Sequence, residues 1–348
     1  MNLEIKPHPA QVLTEIKFST GEIAVANFSL TDRDVTDLTR FQELLPDVRS
    51  YVRQYAPSDW PEFRSVLTAV TDEPLSALAI LPLASCAAVG GNPQAAIPVS
   101  AAWVVLSLAM RILDDLQDQD RPDALWATIG LARSFNFSAA LYALCNKLLA
   151  QAVWTPELYR VINQHFAQTG LRLLKGQDRD LRNLTLTIED YWHTIEEKNA
   201  SAFVLACTAG GLCGTDNPKL LDACRTFGYH LGLALQLFDD FEGIWGQSGR
   251  GDLVMGKITL PVIYGLNVSH NRRDELQTII DDASLATESE RIREILDQIN
   301  TRDFMIWTAL QERKKAVAAL ESCPGQQGVT ALTAYVTTIF AHIEDVLR

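Results

Sequence analysis

The longest uncharged stretch of the chain places the strongest limit on its fold. No charged residue occurs between Pro74 and Arg111, and a stretch of this kind is buried either in a protein core or in a membrane. Pro82 and the segment 90–93 (Gly-Gly-Asn-Pro) divide it into pieces that are short for a bilayer, which needs roughly 20 apolar residues. We therefore predict two buried core helices and no membrane span.

Helix signals dominate the chain beyond its first part. Apolar positions recur every three or four residues in many segments, for example from Leu220 to Phe238, as along the buried face of a helix. A capping residue precedes a proline at three predicted helix starts: Asn92-Pro93, Thr155-Pro156 and Asn217-Pro218. The sequence predicts an all-α, single-domain helical bundle over residues 48–348. Residues 1–47 are predicted to be an N-terminal extension, either a short hairpin or a tail draped over the domain.

Composition and charge narrow the possible partners. The formal charge of −13 at pH 7 argues against nucleic acid and anionic membrane surfaces, because both are bound by basic patches. It does not exclude a diphosphate substrate, since bridging cations invert the local electrostatics. The six cysteines form no CxxC pair and are expected to be reduced core residues. No signal peptide is evident at the start, so we expect a cytoplasmic protein.

Three acids follow the uncharged stretch directly. Asp114, Asp115 and Asp118 occupy positions i, i+1 and i+4, which lie on roughly one face of a helix. Pro122 places them in the last turns, where each negative charge is disfavoured by about 0.3–1 kcal/mol. Such a break of a local rule often marks a working site, and clustered carboxylates suit Mg²⁺ completed by substrate phosphates. The alternative interpretation is a solvated acidic helix end.

A second acidic helix end weakens that alternative. Asp239 and Asp240 close another apolar run, and Glu242 follows three residues after Asp239. Two such ends, far apart in sequence, can face each other across one cavity. Gly228 and Gly232 lie one turn apart on the same run, and we predict that they allow a neighbouring helix to pack closely.

Two lysines border apolar segments. Lys198 precedes an apolar helix, and Lys257 lies between Gly251 and Pro261. A lysine in such a position usually extends to solvent, and each of them taken alone is more often a surface residue. Together with two carboxylate clusters they are typical of point charges that bind a diphosphate.

In this order the motifs resemble those of the trans-isoprenyl diphosphate synthase family, within the class I terpenoid enzymes. The resemblance runs from about Ala84 to the C-terminus. Segments 114–118 and 236–240 are similar to the family's two aspartate-rich motifs, 175–181 to its Gly-Gln…Asp-Leu segment, 198–201 to its Lys-Thr-Ala-Ser segment and 256–261 to its later lysine segment. Five ordered matches in one chain are specific, although any single match would be weak.

The resemblance implies a helical bundle around a deep central apolar cavity, a homodimer, and three Mg²⁺ ions that hold an allylic prenyl diphosphate. It implies that Asp114, Asp118 and Asp239 bind metal, with Asp115, Asp240 and Glu242 as further metal-site residues. The implied diphosphate-binding residues are Lys198, Lys257, Arg121 and Gln177, and the implied residues near the nascent cation are Gln177, Asn199 and Gln236. Ser107, Ala109, Met110 and Asn199 are expected to line the pocket for a C15 or C20 tail.

The chain departs from the family at the site for the second substrate, isopentenyl diphosphate. Chain-elongating members bind it with basic segments on both sides of the first aspartate motif. Here the upstream segment 71–82 has no basic residue and the downstream segment has only Arg121. The third acid of the second motif is Gly243, and Glu242 either replaces it or is a surface residue. Arg111, unexpected on an apolar helix, is expected to form an ion pair rather than to contact the diphosphate.

These departures favour an enzyme that resembles a terpene synthase. It would ionise an allylic prenyl diphosphate and let the cation cyclise, lose a proton or react with water or another acceptor. The first alternative is a chain-elongating prenyltransferase that holds isopentenyl diphosphate with unrecognised basic residues such as Arg64, Arg111 or Arg121. The second alternative is a non-catalytic partner subunit, which the intact acids disfavour because such a subunit has no need of them.

Overall fold

A computed structural model describes residues 39–71, 75–118, 124–182, 187–246 and 251–347. The predicted N-terminal hairpin and Arg121 lie outside these residues. All regular secondary structure within them is helical, which confirms the all-α prediction.

The helices follow one another along the chain with short connections. They are α1 Leu45–Tyr55, α2 Pro61–Thr71, α3 Leu75–Ala88, α4 Ile97–Asp118, α5 Leu125–Ile129, α6 Leu131–Ala150, α7 Pro156–Leu181, α8 Ile188–Ile195, α9 Ser201–Leu212, α10 Pro218–Trp245, α11 Leu260–Asn267, α12 Arg273–Asp281, α13 Ser289–Gln298, α14 Thr301–Ala319 and α15 Gln326–Leu347. A short 3₁₀ turn at Pro93–Ala96 precedes α4, and a π-helical turn at Glu196–Ala200 joins α8 to α9.

The uncharged stretch forms the two core helices α3 and α4, which are divided at residues 90–93 as predicted. The prediction that Pro82 also divides the stretch is wrong, because Pro82 lies inside α3. The side chain of Asn92 accepts a hydrogen bond from the Gln94 backbone N–H at 3.1 Å. Asn92 therefore caps the 3₁₀ turn that leads into α4, as predicted. Ser100 Oγ donates to the Ala79 carbonyl at 2.7 Å and joins the two helices. The segment Pro93–Asp118 is long and apolar enough to cross a membrane, but most of its apolar window is buried inside the protein, as in a core helix.

The centre of the bundle is built from α4, α9 and α10. Helix α10 packs against α9 and α14, while α4 packs against α3 and α6. A Cβ on Gly228 would come within 2.5 Å of the Phe203 carbonyl oxygen, and one on Gly232 within 2.6 Å of the Ala200 Cα. These two glycines therefore allow the close helix packing that the sequence predicts. All six cysteines are free.

Candidate active site

The π-helical turn Glu196–Ala200 places two polar side chains at one end of the bundle. It interrupts the regular helix between α8 and α9, and interruptions of this kind are frequent at functional sites. A Cβ on Gly176 of α7 would lie 2.6 Å from the Lys198 backbone nitrogen, so α7 contacts the turn directly. Gly232 of α10 contacts it from the other side. Lys198 and Asn199 are thus held between two long helices.

Lys198 connects the end of α4 to the end of α7. Its Nζ lies 3.2 Å from Asp114 Oδ1 and 2.6 Å from Asp180 Oδ2. Burial acts to lower the pKa of Lys198, but the carboxylates of Asp114 and Asp180 outweigh it and raise that pKa above its ordinary value. The lysine is therefore a fixed positive charge beside the first acid cluster.

Lys257 connects the first acid cluster to the loop that follows the second. Its Nζ donates to Asp118 Oδ2 at 2.7 Å, and its backbone N–H donates to the Asp252 carbonyl at 2.8 Å. Asp252 in turn donates its own N–H to the Gly243 carbonyl at the end of α10, again at 2.8 Å. The two acidic helix ends thus face one shared mouth instead of pointing apart.

Asp240 is the buried member of the second cluster, with 2% of its surface exposed. Its Oδ2 accepts hydrogen bonds from the Tyr191 hydroxyl at 2.7 Å and from the Leu260 N–H at 3.2 Å, and its Oδ1 accepts one from Gln236 Nε2 at 2.6 Å. Gln236 Oε1 accepts from the Asn199 amide. Burial outweighs these donors and raises the pKa of Asp240 to about 7. Asp240 therefore orients the Gln236 amide and, through it, the amide of Asn199, which lines the cavity.

Asp239 lies exposed at the mouth. Partial desolvation by the surrounding atoms, and then the negative charges of Asp252 and Glu242, raise the pKa of Asp239 to about 6. Asp252 also takes the space of the acid missing from the motif, because a Cβ on Gly243 would overlap its carboxylate. Glu242 instead directs its Oε2 toward Gly246, where a Cβ would lie 2.6 Å from it. Sequence reasoning assigned no role to Asp252.

A cavity of about 230 Å³ opens beside Lys198. Its lining residues are Met110, Arg111, Leu113, Asp114, Leu173, Leu174, Gln177, Lys198 and Asn199. Gln177 is 7% exposed, and neither atom of its amide has a hydrogen-bond partner. Buried polar groups are rarely left unpaired, so these atoms mark a place for a polar ligand.

The donor set at the mouth suits Mg²⁺. In the described part of the chain, no three His, Cys, Asp or Glu side chains converge tightly enough to hold an ion by themselves. Mg²⁺ does not require such a cage, because it usually binds one or two carboxylates together with substrate phosphates and water. Asp114, Asp118 and Asp239 provide carboxylates of this kind on two sides of one mouth.

Comparison with known proteins identifies the family. A family model described as polyprenyl synthetase matches residues 76–299, which is more than half of the chain. The chain belongs to the polyprenyl synthetase family. The chain is similar to the geranylgeranyl diphosphate synthase of Mycobacterium tuberculosis, with 30% identity over 61% of this chain and 64% of that protein. The match thus spans slightly less than two thirds of that relative's length.

Two further similarities are informative. The tryptophan prenyltransferase ComQ of Bacillus subtilis is 23% identical over 67% of this chain and 77% of its own. The crystal structure of a Caulobacter crescentus polyprenyl synthase, complexed with calcium and isoprenyl diphosphate, superposes with a TM-score of 0.74 at 22% identity. That superposition covers 87% of this chain and 96% of the other. It confirms the fold predicted from the motifs.

The structure brings most of the predicted site residues together. Of the predicted tail-pocket residues, Met110 and Asn199 line the cavity, whereas Ser107 and Ala109 do not. Ala109 is fully buried, and its carbonyl accepts a hydrogen bond from Ser138 of α6 at 2.8 Å. The roles predicted for Ser107 and Ala109 therefore remain predictions.

Proposed function

We propose that this member of the polyprenyl synthetase family is a metal-dependent prenyltransferase that ionises an allylic prenyl diphosphate and adds isopentenyl diphosphate to the prenyl cation. The observation that carries the proposal is the shared mouth, where Lys198 contacts Asp114 and Lys257 contacts Asp118. Carboxylates for a divalent ion and ammonium groups for a diphosphate are what ionisation of such a substrate requires.

Some of these residues would bind the metal and the diphosphate, and others would protect the prenyl cation from water. Mg²⁺, when bound, would act as a Lewis acid on the departing diphosphate, held by Asp114, Asp118 and Asp239; the number of three ions is part of the proposal. Lys198 and Lys257 stabilise the same negative charge. The apolar walls of the cavity exclude water from the C15 or C20 tail and its cation. The calcium and isoprenyl diphosphate in the Caulobacter crescentus protein are consistent with this arrangement.

The comparisons favour chain elongation over the terpene-synthase-like reaction that the missing basic segments suggest. The Mycobacterium tuberculosis relative is named for synthesis of geranylgeranyl diphosphate, a prenyl diphosphate, and the matched family model is that of polyprenyl synthetases. A second candidate is transfer of the prenyl group to an acceptor without a diphosphate. It is favoured by the absence of basic residues from segment 71–82 and by the similarity to a tryptophan prenyltransferase.

One assay separates the candidates. Purified protein with Mg²⁺ is given C10, C15 or C20 allylic diphosphates, with and without isopentenyl diphosphate, and the products are identified by mass spectrometry. Longer diphosphates that form only with isopentenyl diphosphate would support the proposal. Hydrocarbon or alcohol formed without it would support a terpene-synthase-like enzyme. No turnover would contradict both reactions and would support the non-catalytic subunit or transfer to an acceptor that the mixture does not contain. Asp239→Asn should abolish turnover, whereas the matched change Asp222→Asn on the exposed face of α10 should not.

We also propose the homodimer that the family resemblance implies. Exposed large apolar side chains concentrate on α6 and α7: Leu131, Phe135, Leu171, Leu174 and Leu181. Exposed apolar groups of this size often mark protein interfaces. Light scattering of the purified protein tests this, and a monomeric mass at micromolar concentration would contradict it. A cytoplasmic location remains a proposal, supported by the free cysteines.

A further inference from the structure

Arg111 lies on the wall of the cavity, one helical turn before Asp114. It shares this cavity with Lys198 and Gln177, and it faces a wall that includes Leu173 and Leu174 of α7. Its side chain is solvent accessible, so it can be reached through the open side of the cavity. Arg111 and Lys198 are the two cationic side chains among the lining residues.

Among the described residues, Arg111 does not form the ion pair that the sequence suggests for it. Within the described residues, Lys198 contacts Asp114 and Asp180, and Lys257 contacts Asp118. Arg111 makes no such contact with these described acids, although Asp114 lines the same cavity. A guanidinium group keeps its charge at any ordinary pH, and its planar fork matches the spacing of phosphate oxygens.

We propose that Arg111 binds a substrate diphosphate inside this cavity; the inference rests on the proposed function. Gln177 supports it independently, because its amide is more than nine-tenths buried, lines the same cavity and has no hydrogen-bond partner. A diphosphate between Arg111 and Gln177 would receive two guanidinium donors and one amide donor. It would thereby satisfy polar groups of the cavity wall that no protein atom satisfies.

Two substrates carry a diphosphate, and binding measurements distinguish them. The first arm titrates a farnesyl thiodiphosphate, which does not ionise, into the protein with Mg²⁺ in a calorimeter. The second arm titrates isopentenyl diphosphate into the protein already saturated with that analogue. Both arms compare the native protein with Arg111→Gln, Arg111→Lys and Arg172→Gln. Arg172 is a matched control, since it is an exposed arginine of α7 that does not line the cavity.

Arg111→Gln should weaken the binding affinity measured in one arm by about 10- to 100-fold, which is the usual effect of losing hydrogen bonds to a charged group. Arg111→Lys should recover only part of that loss, because it keeps the charge without the fork. Arg172→Gln should change the affinity in each arm less than about threefold, because salt screens the effect of an exposed charge that does not line the cavity. A loss confined to the first arm assigns Arg111 to the allylic diphosphate, and a loss confined to the second assigns it to isopentenyl diphosphate.

Unchanged affinity of Arg111→Gln in both arms would overturn the inference and leave the proposed function intact. The same would follow if Arg172→Gln produced an equal loss, because the effect would then be one of overall charge. Failure of the native protein to bind either diphosphate would overturn the proposed function as well. Thermal unfolding of each variant verifies folding, and the exposed position of Arg111 predicts little change in Tm.

Discussion

Replacing Asp240 by asparagine should make the metal-free protein more stable at pH 8, although the change removes a charge from the active site. Asp240 is 2% exposed, and burial raises the pKa of its carboxyl from 3.8 to about 7 in spite of three hydrogen-bond donors. The folded protein therefore holds a proton on Asp240 at pH values where the unfolded chain has released it. Stability from this site is fully present below about pH 4 and is lost as pH rises through 7.

The size of the effect follows from that difference in pKa. A rise from 3.8 to about 7 corresponds to roughly 4 kcal/mol between the protonated and ionised forms. Asparagine has the shape of the protonated form at every pH, but its amide N–H₂ would face the Gln236 donor. Gln236 and Asn199 would both have to reverse their amides to pair with it, which costs about 1 kcal/mol. We therefore expect a gain of about 3 kcal/mol at pH 8.

Urea unfolding in EDTA at pH 5, 6, 7 and 8 measures the effect. The advantage of Asp240→Asn over the native protein should be small at pH 5 and should grow toward pH 8. Asp222→Asn removes one exposed negative charge from the same helix and should show no such growth. The reasoning would be refuted if the difference in unfolding free energy between Asp240→Asn and the native protein were the same at pH 5 and pH 8. It would also be refuted if Asp240→Asn were less stable than the native protein at pH 8.

Three further changes test other parts of the site. Gly232→Ala should destabilise the protein by about 1–3 kcal/mol, because the Cβ of the new alanine would lie 2.6 Å from the Ala200 Cα. Thermal unfolding measures this, and an unchanged Tm would contradict it. Tyr191→Phe removes a hydrogen-bond donor that lowers the pKa of Asp240, so that pKa should rise. The acidic limb of the pH profile of kcat/KM should then move to higher pH, and a move to lower pH would contradict the prediction. Lys198→Met should weaken binding of the unreactive allylic analogue with Mg²⁺ by about 10- to 100-fold, whereas Lys219→Met, on the exposed start of α10, should leave it unchanged.

The features that could be predicted from the sequence are those that depend on local pattern. The segment 90–93 (Gly-Gly-Asn-Pro) divides the uncharged stretch into α3 and α4, because adjacent glycines and a capped proline favour a break between helices, whereas Pro82 alone does not end α3. Asn92, Thr155 and Asn217 cap helices as predicted, since each side chain accepts a backbone N–H within three residues. The acids at the ends of α4 and α10 stand out in the sequence because each closes an apolar run.

The features that sequence reasoning missed depend on approach between distant segments. Asp252 follows α10 in a polar loop, where nothing local separates it from a surface acid, and its position arises only because Gly243 leaves room for its carboxylate. Asp180 lies within the segment that resembles the family, but its ion pair with Lys198 depends on the π-helical turn. Tyr191 gave no signal as an apolar helix residue, although its hydroxyl donates to Asp240. The one available clue was that Asp252 precedes Lys257 in the same short segment.

The balance of charge at the mouth links the fold to its chemistry. Asp114, Asp118, Asp239 and Asp252 meet there with two lysines that already contact carboxylates. A diphosphate that approached this mouth alone would add negative charge to an excess of negative charge, which is strongly unfavourable where water is partly excluded. Divalent cations would reverse that balance, which supports the proposal that the diphosphate binds together with metal. The raised pKa values of Asp239 and Asp240 come first from burial, and the negative charge of Asp252, together with that of Glu242 for Asp239, adds to the rise. Crowded, partly desolvated carboxylates of this kind hold protons more tightly when no cation is bound.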